Sequence, residues 1–225
     1  RGYGMSSVRF ICGTQDLHRQ LEQVVTEFLG TEDTLLFPSC MDANAGVFEA
    51  ILTKEDVMIS DRLVHASIID GMRLCSAEHD TYKHGDMDHL EKKLQQWKDK
   101  RLRVIINDGV YSMDGDIAKL DKIVELAHAY GAYVLVDEAH ATGVIGENGK
   151  GTPEHCHVEG KVDIVAGTFS KALGAVGGFI ASRPELINLL HFYARSYMFS
   201  TAPTPQAVAS LREALKVIVE EPDLR

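Results

Sequence analysis

Lys171 sits in the phrase GTFSKALGAVGG, Gly167 to Gly178, bracketed by small residues. Small neighbours leave room beside the backbone, and a bulky planar ligand needs room. A lysine there either snorkels outward from a core edge or presents its amine as a nucleophile to an aldehyde. A second phrase, YVLVDEAHATGVIG, Tyr133 to Gly146, places Asp137 and His140 three residues apart directly after an apolar run. Its letters D-E-A-H are those of ATP-driven helicases. That chemistry requires an upstream G-x-x-x-x-G-K-[ST] phosphate loop. Both Gly-Lys pairs lie downstream: Gly149-Lys150 is followed by Gly151 and has Val144 where the first glycine belongs, and Gly160-Lys161 is followed by Val162 and has His155 there.

The elements that must position these residues are legible as apolar runs. TLLFP (34–38), DVMIS (56–60), HDTYKH (79–84), LRVIIND (102–108), YVLVDE (133–138), VDIVAGT (162–168) and GGFIAS (177–182) read as strands. Between and after them run helical patterns: 42–52 with Asp42 as its cap, 66–75, 87–100, 119–130, 184–196 and 204–221. Such alternation predicts an α/β fold, a mostly parallel sheet of about seven strands with helices on both faces. One large domain over residues 1–225 is the simplest count. In such sheets ligands bind outside the carboxyl ends of the strands.

Four strand ends are polar there: Asp61 and His65, Asp108 and Ser112, Asp137 and His140, and Thr168, Ser170 and Lys171. Any one of them reads equally well as turn chemistry. Together, on one edge, they form a candidate site. A lysine amine and a nearby carboxylate suit pyridoxal phosphate, whose ring nitrogen wants an anionic partner. His140 is within reach of that cofactor's phenolic oxygen. The turn PSCMDANAG (38–46) leads into a helix and offers N–H donors to a phosphate.

Other classes fare poorly. The chain has 225 residues, 45% hydrophobic, and a formal net charge of -10, which disfavours phosphate-backbone binding and hence nucleic acid. No apolar run approaches the length of a membrane span. Four scattered cysteines without a C-x-x-C pair suit a reducing compartment, and the expected location is cytoplasmic or the mitochondrial matrix. EHCH, Glu154 to His157, holds ligand types, but consecutive residues of an extended segment point apart, so no metal is expected. A nicotinamide enzyme would show G-x-G-x-x-G after its first strand, and none follows.

VHASIIDG, NDGVYSMDGDIA, VDEAHATGVIGENGKG and GTFSKALGAVGGFIA, in that order along the chain, resemble the α-oxoamine synthases. These are pyridoxal-phosphate enzymes of the aspartate aminotransferase fold that join an amino acid to an acyl-CoA. The resemblance implies that the chain is the large cofactor-binding domain, and that an N-terminal segment and a smaller C-terminal domain lie outside it. It implies Lys171 as the Schiff-base lysine, Asp137 at the ring nitrogen, His140 and Ser112 at the phenolic oxygen, and His65 stacked on the ring. Backbone groups of Cys40 and Met41, with Thr168 and beside Ser170, would hold the phosphate. Ser200 and Thr201, in YMFST, would reach the partner's phosphate across a homodimer with shared sites.

SSVRFICGTQDLHRQLE and CMDANAGVFEAIL are most similar to the glycine C-acetyltransferase branch, whose substrates are glycine and acetyl-CoA. GTFSKALGAVGG, with Ser170 before the lysine, is closer to the serine palmitoyltransferase branch. Decarboxylating condensation, of that or the 8-amino-7-oxononanoate type, is the alternative reaction. A lysine-deficient partner subunit is the non-enzymatic alternative, and all the cofactor-facing residues present here speak against it.

Overall fold

The structure is a computed structural model describing residues 3–224; Arg1, Gly2 and Arg225, the ends of the expected 1–225 domain, lie outside the described residues. Seven strands form one sheet: β1 (Asp33–Phe37), β2 (Val57–Asp61), β3 (Glu78–Tyr82), β4 (Arg103–Asp108), β5 (Tyr133–Asp137), β6 (Ile164–Thr168) and β7 (Gly178–Ser182). Their order is β1-β7-β6-β5-β4-β2-β3. Only β7 runs against its neighbours β1 and β6; the other pairings are parallel. All seven expected strands are therefore present, in a mostly parallel sheet.

The central strands are buried along almost their whole length, with successive side chains facing opposite sides of the sheet, and the helices fall into two layers. Leu35, Met58, Ile106, Leu135 and Ile180 pack beneath α2 (Cys40–Ile51), α3 (Ala66–Leu74) and α7 (Pro184–Tyr193). On the other face Leu36, Val136 and Phe179 meet α1 (Asp16–Leu29) and α9 (Pro205–Glu220). Val57, Ile105 and Val134 meet α4 (Met87–Gln96) and α5 (Leu120–Tyr130) on that same side. Continuous burial with side chains pointing alternately to two faces is the signature of strands covered by helices on both sides.

Several expectations change. α1 is absent from the sequence reading, although Leu21, Val25 and Phe28 recur at helical spacing and are all buried. A buried ion pair, Arg9 Nη1 to Glu22 Oε1 at 2.9 Å, fastens the π-helical turn Arg9–Gly13 to this helix. The helix expected over 184–196 breaks at Ala194 into α7 and the short α8 (Arg195–Met198). Asp42 does not cap α2; Ser39 does, its Oγ accepting from Asp42 N at 3.0 Å. EHCH is not extended: residues Thr152–His155 form a single helical turn, α6. Among the described residues no helix is long and apolar enough to cross a membrane.

Candidate active site

Strand parity decides which polar strand ends can meet. In β5, Leu135 faces the α2 layer, so Asp137, two residues on, faces it too. In β4, Ile106 faces that layer, and so does Asp108. Asp108 and Asp137 stand in direct register on adjacent parallel strands. The N-terminus of α2 lies over them. Its close approach is permitted by Gly178 of β7, where any Cβ would overlap Cys40 and Ser39. The small-residue phrase around Lys171 thus makes room at this point for a helix start, not only for a ligand.

The result is a cavity of about 210 Å³ at the carboxyl ends of β4, β5 and β6. Its wall includes Cys40, Met41, His65, Asp137, His140, Thr168, Ser170 and Lys171, all expected site residues, together with Asp108. Lys171 Nζ lies 2.6 Å from His140 Nε2. Burial, then the neighbouring Lys171 charge, lowers the His140 pKa, which favours the neutral ring and makes Nε2 the acceptor of this hydrogen bond. Asp137 is 4% exposed, and its carboxylate accepts from Ala139 N at 2.9 Å and Asn44 Nδ2 at 2.8 Å. The Cys40 thiol lies 3.7 Å from the same carboxylate; burial, and then the Asp137 charge, push that thiol well above its usual range, so it remains protonated. Asp108 is pushed up to about 8, first by burial and then by the Asp137 charge.

At the rim, Thr168 Oγ1 lies 2.9 Å from Ser170 Oγ and accepts from Ser170 N at 3.3 Å. Cys40 and Met41 occupy the first turn of α2, where an α-helix leaves its amides without intrahelical acceptors. Those amides, the helix dipole and the Thr168 and Ser170 hydroxyls form an anion-binding corner.

Three expected residues lie elsewhere. Ser112 is exposed, in the loop closed by the Val110–Ile117 bridge, and does not line the cavity. That loop is tied down by His84, whose ring nitrogens lie 3.0 Å from Asp61 Oδ1 and 2.8 Å from Asp116 Oδ2. Asp61 therefore anchors a loop and is not a cavity residue. Ser200 and Thr201 follow α8, outside the cavity, with Thr201 bridged to Val8. The sequence reading missed Asn44, buried behind the cavity wall, and Ser67, which lines the cavity. Helical spacing places Asn44 four residues after Cys40, on the face turned to the sheet, which is the signal that could have found it.

Glu138, given no role by the sequence, has a structural one. It is fully buried and accepts from Thr152 N at 2.6 Å and from Thr152 Oγ1. Burial raises it to about 7. It fixes the loop after β5 from below while Asp137 points up into the cavity.

The model of the family described as aminotransferase class I and II matches residues 3–224. The chain is 49% identical over 227 residues to the 2-amino-3-ketobutyrate coenzyme A ligase of Escherichia coli strain K12, covering 100% of this chain and 57% of that protein. It is 49% identical over 222 residues to the 8-amino-7-oxononanoate synthase of Bacillus pumilus, covering 99% and 57%. A serine palmitoyltransferase structure from S. paucimobilis with bound PLP superposes with a TM-score of 0.95 at 35% identity, covering 99% of this chain and 56% of that one. The chain thus spans between a half and two thirds of the length of the relatives it matches.

Proposed function

The chain belongs to the aminotransferase class I and II family, on its α-oxoamine synthase branch, and from that premise we propose that the whole protein is a pyridoxal-phosphate-dependent acyl-CoA:amino acid C-acyltransferase. Its reaction would condense glycine with acetyl-CoA to 2-amino-3-oxobutanoate and CoA. One observation carries this reading: the Lys171 amine, the His140 ring and the Asp137 carboxylate converge in one cavity beside a helix N-terminus.

The residues present fit the cofactor. An amine for the aldehyde, a buried carboxylate for the ring nitrogen and free helix-start amides for the phosphate are all in the same wall. When bound, pyridoxal phosphate supplies an aldehyde for amine capture and a ring that accepts electron density from a breaking Cα bond. Lys171 would hold the aldehyde and, once displaced by glycine, remove the Cα proton as a positioned general base. The neutral His140 ring, 2.6 Å away, is placed to receive a hydrogen bond from that amine and to orient it. Asp137 would keep positive charge on the ring nitrogen, and His65 would cover the ring face. Amides of Cys40 and Met41, with Thr168 and Ser170, would hold the phosphate. Ser200 and Thr201 would serve the second site of a homodimer. The reaction would join the glycine Cα to the thioester carbon of acetyl-CoA, the Cα proton passing to Lys171 and CoA leaving as its thiol.

A decarboxylating reaction with a longer acyl-CoA is the second reading, favoured by Ser170 before the lysine and by the equal identity to the oxononanoate synthase. Release of CoA by the full-length protein separates them. Glycine with acetyl-CoA should turn over fastest. Turnover of serine with palmitoyl-CoA, or alanine with pimeloyl-CoA, with glycine and acetyl-CoA inert, overturns the first reading. A visible absorbance band on adding pyridoxal phosphate, lost in Lys171→Ala, tests the cofactor itself.

A further inference from the structure

Three residues of the cavity wall and one buried behind it form a continuous hydrogen-bonded series. Asn44 is completely buried, and its Nδ2 lies 2.8 Å from Asp137 Oδ2 and 3.0 Å from Ser67 Oγ. Ser67 Oγ in turn lies 2.8 Å from His65 Nδ1. The direction of each link follows from donor chemistry. A carboxylate only accepts, so the Asn44 atom facing Asp137 is the amide nitrogen, and its second hydrogen serves Ser67 Oγ. The backbone N–H of Ser67 points at His65 Nδ1, 3.2 Å away, so Nδ1 is an acceptor. The Ser67 hydroxyl therefore donates to Nδ1, and the ring hydrogen of His65 sits on Nε2.

Asn44 shows a second sign of function. Its Oδ1 is buried without a hydrogen-bond partner, an arrangement that destabilises a core. An apolar residue would avoid that cost but would lose both donors. What the position keeps is an NH2 group that serves two acceptors at once.

We propose that Asn44 and Ser67 are positioning residues that lock the Asp137 carboxylate and the His65 ring into one hydrogen-bonded unit, with the His65 hydrogen on Nε2. Asn44 fixes the carboxylate plane and, through Ser67, the imidazole, so two walls of the cavity are set by one buried amide. Groups that touch a ligand hold their geometry when a supporting shell fixes their rotamers. The inference rests on the functional reading only for the ligand that Asp137 and His65 would face.

Full-length protein carrying 15N-histidine, kept free of cofactor, reports the ring nitrogens directly. The signals lost in His65→Gln identify His65. Nδ1 is expected as an unprotonated, hydrogen-bonded nitrogen and Nε2 as the one bearing hydrogen. Asn44→Ala touches neither atom, yet it should split or broaden the His65 signals as the Ser67 hydroxyl is freed. Ser67→Ala should do the same, and Ser67→Thr should restore the single set. Should Asn44→Ala fail to fold, the two Ser67 variants carry the test alone. His65 signals superimposable on wild type in the alanine variants, or a hydrogen on Nδ1 in wild type, overturn the proposal. In a parallel titration, pyridoxal phosphate affinity should fall by roughly tenfold in Asn44→Ala, as for loss of other residues that orient ligating groups. Wild type that binds no pyridoxal phosphate would refute the functional reading and leave the nitrogen spectra standing.

Discussion

Asp108 and Asp137 end neighbouring parallel strands in direct register and project to the same face of the sheet, so two carboxyl groups share one buried corner. Asp137 is satisfied there by Asn44 and the Ala139 amide, whereas among the described residues Asp108 accepts only from His65 N, at 3.1 Å. The folded Asp108 pKa, about 8, lies above that of an unfolded aspartate. Its contribution to stability is therefore fully present at acid pH and is lost as pH rises toward 8. Cofactor-free protein should melt at a lower temperature at pH 8 than at pH 5. Asp108→Asn keeps an acceptor for His65 N and has no charge to acquire, so its melting temperature should fall less over the same range. Melting curves at the two pH values check this; equal slopes would remove the buried carboxyl as the cause.

Lys171 is exposed to the cavity and contributes little packing. Lys171→Ala should lower CoA release by about 10³-fold or more, the scale expected when a nucleophile that doubles as the base is removed. Its stability should stay within about 0.5 kcal/mol of wild type, as for surface substitutions. Activity and denaturant midpoint measured on one preparation separate the two effects.

Ser39 caps the helix whose first turn faces the anion-binding corner. Ser39→Ala should cost about 1 kcal/mol of stability, the usual loss for such a cap. It should also weaken pyridoxal phosphate binding, because the amides of Cys40 and Met41 lose their fixed direction. Urea denaturation and a cofactor titration read the two consequences independently.

Gly151 has a φ of +106°, and any Cβ there would overlap Glu138 Oε2. Gly151→Ala should destabilise by about 3 kcal/mol, combining backbone strain with loss of the Glu138–Thr152 bonds. Gly160 is the control: its φ is +72°, and nothing lies within 4 Å of a Cβ placed there. Gly160→Ala should cost only about 1 kcal/mol, the left-handed penalty alone. Equal losses at the two positions would show that Glu138 does not crowd Gly151.

Much of the site was legible because its chemistry lies at strand ends. Asp137, His140, Thr168, Ser170 and Lys171 all follow apolar runs, and a parallel sheet delivers such residues to one edge. Asp61 follows an apolar run equally well and yet serves only as a loop anchor. Ser67, and Asn44 apart from its helical spacing from Cys40, were hard to read for the opposite reason. They sit inside helices, where a single polar residue on a buried face looks like a tolerated exception until its partners are seen.

The sequence by itself determined the seven strands, the alternation that makes their sheet mostly parallel, and the family, because local periodicity and long ordered motifs are properties of the chain alone. Only the tertiary structure decided which strand-end groups share a cavity. That depends on strand order, on register, and on how closely α2 approaches over Gly178, which are relations between segments distant in sequence. The burial that raises Asp108 and the buried amide that joins Asp137 to His65 arise from the same packing.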